Sequence, residues 1–327
     1  MDGPGRSGFR MWRMRTVVPL LLVAAAIGTA VAAGSAQSTP PPIIGRWDIT
    51  VQRADGSERS AWLEVRHSGV QTLVGQFVGT SGSARPIAAV EFKNNAMRFA
   101  IPPQWERVDG DVVVAGTLDG DRLSGTMTVG TSGTPLRWTG VRAPTLRRMR
   151  PPRWEEPRPL FNGRDLSGWR AIGGANEWQA VDGILRNGKS GGNLVTDEAF
   201  DDFKLHVEFR YPDGGNSGIY LRGRYEIQIA DVPGHEPGID SLGAVYGYLA
   251  PSVMAAKNAG EWQSFDVTLI GRHVTVALNG TTIIADREIP GITGAALDSH
   301  EGKPGPLLLQ GDHGPIEYRN ITLARGR

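Results

Sequence analysis

The chain is 327 residues long, with 44 Gly, 22 Pro, no Cys and a formal charge of +1. That length leaves room for two hydrophobic cores, and so much Gly and Pro favours short strands and turns over long helices. Without cysteine there is no thiolate nucleophile, no Cys-ligated zinc site and no lipid-modified N-terminal Cys.

Arg6, Arg10, Arg13 and Arg15 precede an apolar run over residues 17–31, which gives way to small residues. This is the layout of a signal peptide whose apolar part is too short for a comfortable membrane span, so residues 1–36 are expected to be removed. Removal takes four Arg and one Asp and leaves a formal charge of −2. The expected product is periplasmic or extracellular, soluble, without a membrane anchor and without the basic bias that nucleic acid would require.

Residues 37–142 read as a small antiparallel β domain. Short β-prone runs at 47–51, 61–65, 73–78, 90–92, 97–101, 112–117 and 124–128 are separated by Gly, Asp, Asn and Ser turns, a spacing that predicts a meander closing into a small barrel or sandwich. Gly45-Arg46-Trp47 at its start and residues 138–142 at its end loosely resemble lipocalin-like barrels. No chemistry is assigned to this half beyond holding glycan or orienting the second domain. Residues 143–159 are rich in Pro and Arg, which predicts an extended linker without regular ladders.

Residues 160–327 again read as strands. Leu205, Val207 and Phe209 alternate with Lys204, His206, Glu208 and Arg210, and Asn279-Gly280 between two β-prone runs is a strong hairpin signal. The densest polar pattern is residues 216–231. Ile219 and Leu221 face one way and Tyr220 and Arg222 the other, while Tyr225, Ile227 and Ile229 oppose Glu226 and Gln228. A turn at Gly223 leaves the relative parity of the two halves open. A second polar cluster, Gln310-Gly311-Asp312-His313-Gly314, sits between two apolar strands, and its glycines can re-aim His313, a residue suited to acid–base work or metal ligation. Trp178 and Trp262 read as core residues, His206 and His300 as surface ones.

These blocks occur in a fixed order with Leu160-Phe161-Asn162-Gly163-Arg164-Asp165-Leu166-Ser167-Gly168-Trp169, Asp182-Gly183-Ile184-Leu185, residues 192–196, residues 202–210, Gly260-Glu261-Trp262 and Leu278-Asn279-Gly280. Together they resemble the 3-keto-disaccharide hydrolase family, also described as 3-keto-glucoside 1,2-lyase/3-keto-2-hydroxyglucal hydratase, over residues 158–327. The resemblance implies an all-β protein whose C-terminal part is a concanavalin A-like jelly-roll sandwich, with the sugar on its concave face. It also implies a secreted enzyme that cleaves 3-keto-glycosides. The C3 ketone acidifies the C2 hydrogen, a base removes it, the C1 substituent is eliminated, and water can add to the resulting glucal.

On that reading Glu226 and His313 supply base and acid in an order left open, and Arg222 stabilises the enolate, alone or with a divalent metal. Glu226, Asp231 and Glu208 are the expected metal ligands. Asn216, Tyr220, Gln228 and Gln310 are expected to bind substrate. There is no nucleotide-binding Gly motif, so no nucleotide cofactor is expected and a separate sugar oxidoreductase must supply the keto substrate. A retaining glycosidase would need two carboxylates about 5 Å apart, whereas Glu226 is followed on its own face by Gln228 and Ala230. The rival reading is a secreted, non-catalytic, lectin-like glycan-binding module.

Overall fold

Alternation of apolar and polar residues builds a nine-stranded sheet from the first half of the chain. Its strands are β1 (Gly45–Gln52), β2 (Glu58–Ser68), β3 (Thr72–Val78), β4 (Arg85–Ile87), β5 (Glu91–Lys93), β6 (Ala96–Ile101), β7 (Val112–Asp119), β8 (Arg122–Val129) and β9 (Leu136–Arg142). They run antiparallel in the order β4-β3-β2-β1-β9-β8-β7-β6-β5. The sheet curls around Trp47, Ile49, Leu63, Phe77, Phe99, Val114 and Trp138 and brings β4 back toward β6, a half-closed barrel. Asn94 and Asn95, with φ of 51° and 62°, form the two-residue turn between β5 and β6, as the left-handed pair of a type I′ hairpin requires.

The computed structural model describes Met1, residues 40–231 and residues 236–327. Apart from Met1, the expected signal peptide lies outside the described residues. Among the described residues there is no helix, and no helix long and apolar enough to cross a membrane.

The second half contributes β10 (Arg158–Pro159), β11 (Trp169–Ile172), β12 (Trp178–Val181), β13 (Ile184–Asn187), β14 (Asn193–Thr196), β15 (Phe203–Arg210), β16 (Asn216–Leu221), β17 (Tyr225–Ala230), β18 (Gln263–Ile270), β19 (His273–Leu278), β20 (Thr281–Glu288), β21 (Leu308–Leu309) and β22 (Ile316–Arg325). The larger sheet has the order β12-β13-β22-β15-β18-β19-β20, with β10 also paired to β22; the smaller is β11-β14-β21-β16-β17. Their inner faces meet in a core that takes Leu205, Val207, Phe209, Phe265 and Val267 from the larger sheet and Leu194, Ile219, Tyr225, Ile227 and Leu309 from the smaller. Burial of each such large side chain is worth about 1.5–3 kcal/mol. The β sandwich of the jelly-roll expectation is thereby observed. The Asn279-Gly280 hairpin forms as expected, with Leu278 opposite Thr281 and φ of 51° and 80°.

The two halves share buried surface within one compact unit, residues 41–327. Along β2, Ser60, Ala61, Trp62 and Leu63 are all buried, so alternation fails there because both faces are covered. Ala61 and Leu63 enter the curled sheet's core, whereas Trp62 joins the sandwich core and meets the Tyr248 ring edge-on at 5.7 Å. Ser60 Oγ donates to the Ala296 carbonyl at 2.6 Å. The segment 143–159 is extended, but it is stitched down rather than a free spacer. Its prolines leave Arg153 and Glu155 as donors, and these bond Arg327 and Arg325 carbonyls at 2.7 and 2.9 Å, while Arg148 pairs with Asp201 and Asp202.

Gly291 lies flat under Trp62, and a Cβ there would overlap the indole. Trp62 is fully buried and has nowhere to retreat. Gly291→Ala is therefore expected to lower stability by about 1–3 kcal/mol, read as a lower denaturant midpoint with an unchanged slope.

Candidate active site

The turn after β16 decides the parity that alternation alone leaves open. Arg222 and Gly223 take φ of 53° and 67°, and the register that results places Tyr220 opposite Glu226 and Gly218 opposite Gln228. Neighbouring cross-strand partners share a face. Asn216, Gly218, Tyr220, Glu226 and Gln228 thus line the side of the smaller sheet that points away from the sandwich core, while Ile219, Leu221, Tyr225, Ile227 and Ile229 line the other. Leu308 pairs with Tyr220, and the Gln310 N–H donates to the Gly218 carbonyl at 2.9 Å, so Gln310 joins the polar face.

Glu226 is buried on this face because loops close over it. Gly218 sits inside β16 and makes room for the carboxylate. A Cβ there would lie 2.5 Å from Glu226 Oε1. The Tyr220 hydroxyl is 2.9 Å from Glu226 Oε2 and 3.1 Å from the Gly294 carbonyl. A hydroxyl has one proton for these two acceptors. When Glu226 is ionised, Tyr220 donates to it; when Glu226 is protonated, the carboxyl can donate to Tyr220 and free the phenol for Gly294. Burial pushes the Glu226 carboxyl up to about 8, against the opposing pull of the Tyr220 hydrogen bond and the His313 charge. At neutral pH Glu226 is mainly a neutral acid.

His313 reaches the same place from the turn after Gln310. Its Nδ1 lies 2.7 Å from Asp312 Oδ1, which fixes the ring and leaves Nε2 free. The Asp312 hydrogen bond raises the imidazole above its ordinary value despite partial burial, and the Glu226 charge adds to this. Gln228 and Gln310 are both 6% exposed, and Oε1 of each is buried without a hydrogen-bond partner among the described residues. Such orphaned amides invite a ligand rich in hydroxyls. Tyr246, one of the residues that sequence reasoning did not single out, lies beside edge strand β17, where its N–H donates to the Glu226 carbonyl at 3.0 Å. Burial first, and then the Glu226 charge, pushes its phenol up.

The structure separates other expected members of the site. Arg222 turns to the opposite side, where its guanidinium bonds Asp201 at 3.0 Å and the Tyr225 hydroxyl at 2.8 Å, so it does not face Glu226. Its positive φ at the turn aims it there, which overturns its role as an enolate partner. Tyr220 is 2% exposed and orients Glu226 rather than offering its hydroxyl to a ligand. Asn216 opens the polar face at the start of β16, partly exposed. Glu208 lies on the outer face of the larger sheet, bound by Arg319 at 2.6 Å and Asn320 at 2.8 Å, with the sandwich between it and Glu226. Asp231 accepts the Gly214 N–H at 2.8 Å. The expected Glu226, Asp231 and Glu208 ligand set therefore does not form, and the described residues contain no cluster of three His, Asp or Glu fit to hold a metal.

Trp178 is buried as expected, but Trp262 is half-buried on the outside, under the Arg319 and Arg210 guanidinium groups at 4.0 and 4.8 Å. His206 and His300 are surface residues that face Asp266 and Asp298. A cavity of about 390 Å³ bordered by Arg186, Arg210 and Glu317 lies on the larger sheet. Its two arginines share Glu317 as their ion-pair partner, and its lining brings together no acid–base pair.

Enlarging Gly218 is the direct test of how tightly the carboxylate is placed. Gly218→Ala would push Glu226 aside, and displacement of a reacting group by about 1 Å can cost on the order of 10²-fold in rate. The expected result is a loss of that order in any turnover that depends on Glu226, together with a stability loss of about 1–3 kcal/mol from overpacking.

Residues 156–324 match the family described as the 3-keto-alpha-glucoside-1,2-lyase-like domain. A 3-keto-disaccharide hydrolase from Bacteroides thetaiotaomicron is 30% identical over 89 residues, which is 24% of this chain and 30% of that protein's length. Two structures of candidate glycosyl hydrolases from Parabacteroides distasonis are also similar. One is 31% identical with a TM-score of 0.43, covering 50% of this chain and 81% of that one. The other is 21% identical with a TM-score of 0.44, covering 52% and 93%.

Proposed function

Because residues 156–324 make this chain a member of the 3-keto-alpha-glucoside-1,2-lyase-like family, a group of carbohydrate-active proteins, we propose that it cleaves 3-keto-glycosides by elimination. The His313 Nε2 takes the C2 proton. The C–H electrons become the C1–C2 double bond as the C1–O bond breaks, and Glu226 gives its proton to the departing oxygen. Water then adds to the hydroxyglucal, with its oxygen at C1 and a proton at C2, and this returns a free 3-keto sugar. The base needs its second nitrogen held, and Asp312 holds it; the acid must be protonated at neutral pH, and burial keeps Glu226 so. With Arg222 directed elsewhere, hydrogen bonding to the reacting sugar falls to Gln228 and Gln310.

The observation that carries this reading is the convergence of a buried carboxyl, an Asp-held His within reach of its charge, and two buried Gln amide oxygens without a partner among the described residues. The substrate must arrive already oxidised at C3, so a separate sugar oxidoreductase acts upstream. The signal-like pattern of residues 1–36 supports a meeting in the periplasm or outside the cell. The test is incubation of purified protein with a 3-keto-glucoside and with its unoxidised parent. Aglycone release from the keto compound alone supports the reading, while equal release from both would replace it with ordinary glycoside hydrolysis.

A further inference from the structure

Trp105 stands in the open with 64% of its surface exposed, whereas every other described tryptophan is buried or half-buried. Its exposure is built. Glu106 Oε2 accepts the N–H groups of both Gln104 and Trp105, at 2.6 and 3.0 Å, and Glu106 Oε1 is held at 3.1 Å by the buried Arg85. Gln104 is clasped to Ser83 through its amide, with Nε2 donating to Ser83 Oγ at 2.6 Å and Oε1 accepting the Ser83 N–H at 3.2 Å. A loop with this many internal bonds presents an indole at a fixed place, which lowers the ordering cost of binding to it.

That place is the rim of the polar face. The indole lies against Gly82, where a Cβ would be 2.7 Å from its Cδ1. Gly82 in turn abuts Gly294 so closely that a Cβ on Gly294 would overlap its backbone. The Gly294 carbonyl is the acceptor that Tyr220 shares with Glu226. Tyr246, next to Glu226, completes the circuit, since the indole N–H of Trp105 partly offsets the upward push of burial on its phenol. Across the face the order is Gln310, Gly218, Glu226, Tyr246 and then Trp105. A substrate that reaches from Glu226 across Tyr246 therefore meets Trp105.

We propose that Trp105 is a stacking platform that the N-terminal sheet contributes to the site, and that it holds the second sugar ring of a 3-keto-disaccharide on the leaving-group side. A pyranose ring presents its C–H groups to a flat aromatic face and keeps its hydroxyls free for water, which suits an amphipathic indole with one side wet. The inference rests on the elimination reading for its substrate. It gives the first half of the chain a role in choosing disaccharides over glucosides with small aglycones.

The test compares wild type, Trp105→Ala and Trp105→Phe on a 3-keto-disaccharide and on a methyl 3-keto-glucoside. Trp105→Ala is expected to raise KM for the disaccharide about tenfold, with kcat unchanged within about twofold and the methyl glucoside unaffected, and Trp105→Phe is expected to restore most of the loss. Equal effects on the two substrates, or none on either, would overturn the proposal. Calorimetric titration with unoxidised maltose and methyl α-glucoside separates it from the reading beneath it. If the wild type turns over neither keto substrate but binds maltose in a Trp105-dependent way, the platform stands and the elimination chemistry fails. Maltose binding that survives Trp105→Ala, or no maltose binding by the wild type, would count against the platform.

Discussion

Replacing Glu226 by Gln is expected to lower turnover of a 3-keto-glucoside by roughly 10²–10⁴-fold, the range over which a positioned acid contributes. The amide keeps the size of the side chain and can still bond the Tyr220 hydroxyl, so the fold should survive. The pH dependence is the sharper mark. The wild type loses the acid form of Glu226 as pH rises through about 8, which sets the alkaline limb of the rate profile, and the residual activity of Glu226→Gln should lack that limb. Stability carries the same signature. The Glu226 pKa is raised on folding from 4.5 to about 8, so in that window the folded chain keeps a proton that the unfolded chain has released. Wild-type stability then falls as pH rises from about 4.5 to about 8, and Glu226→Gln should be flatter across the same window. Thermal unfolding at pH 5 and pH 9 measures the difference.

Arg272→Met is expected to cost about 3–5 kcal/mol, the penalty for stripping the partner from a buried charge. Glu301 is fully buried and accepts two bonds from Arg272, at 3.0 and 2.6 Å, and one from the Tyr225 hydroxyl at 2.7 Å. Asp48, from β1, is buried beside them. Burial and the Glu301 charge push its carboxyl to about 9, so it stays protonated at neutral pH and shares that proton with Glu301. One cation thus serves two carboxyl groups at the junction of the two halves. Without Arg272 the buried Glu301 carboxylate has no counter-charge. Asp48→Asn removes no charge at neutral pH and should cost under about 1 kcal/mol. Urea unfolding of both variants at pH 7.5 checks the contrast.

The sequence's apolar alternation located most strands and both faces of the smaller sheet. The polar partners Glu226, Gln228, Gln310 and Asn216 were legible because strand period alone assigns a side chain to a face. Their mutual register was not, because it depended on the turn at Arg222 and Gly223. The same turn misplaced Arg222, since a residue with positive φ no longer follows the alternation of the strand before it. Gly218 carries no sign of its role in the sequence, since glycine serves both turns and close approaches, and only the position of the Glu226 carboxylate reveals that here it supplies space. The Glu226, Asp231 and Glu208 grouping failed because composition cannot tell on which sheet face a carboxylate lies. Trp105 and Tyr246 carried no local signal at all. The nearness of Trp105 to the site comes from packing between segments more than 100 residues apart in sequence, as does the shared burial of Trp62, and Tyr246 returns to β17 through an irregular loop that alternation does not describe.

Elimination requires the C2 hydrogen to leave before the glycosidic bond is replaced. Turnover of a 3-keto-glucoside in D₂O, with mass spectrometry of the released 3-keto sugar against a no-enzyme control, reads this directly. The account predicts one deuterium at C2 in the enzymatic product, with both release and incorporation lost in His313→Ala. Release with the original hydrogen still at C2 would contradict it and require direct displacement at C1, and saturable sugar binding without any release would leave a lectin-like module.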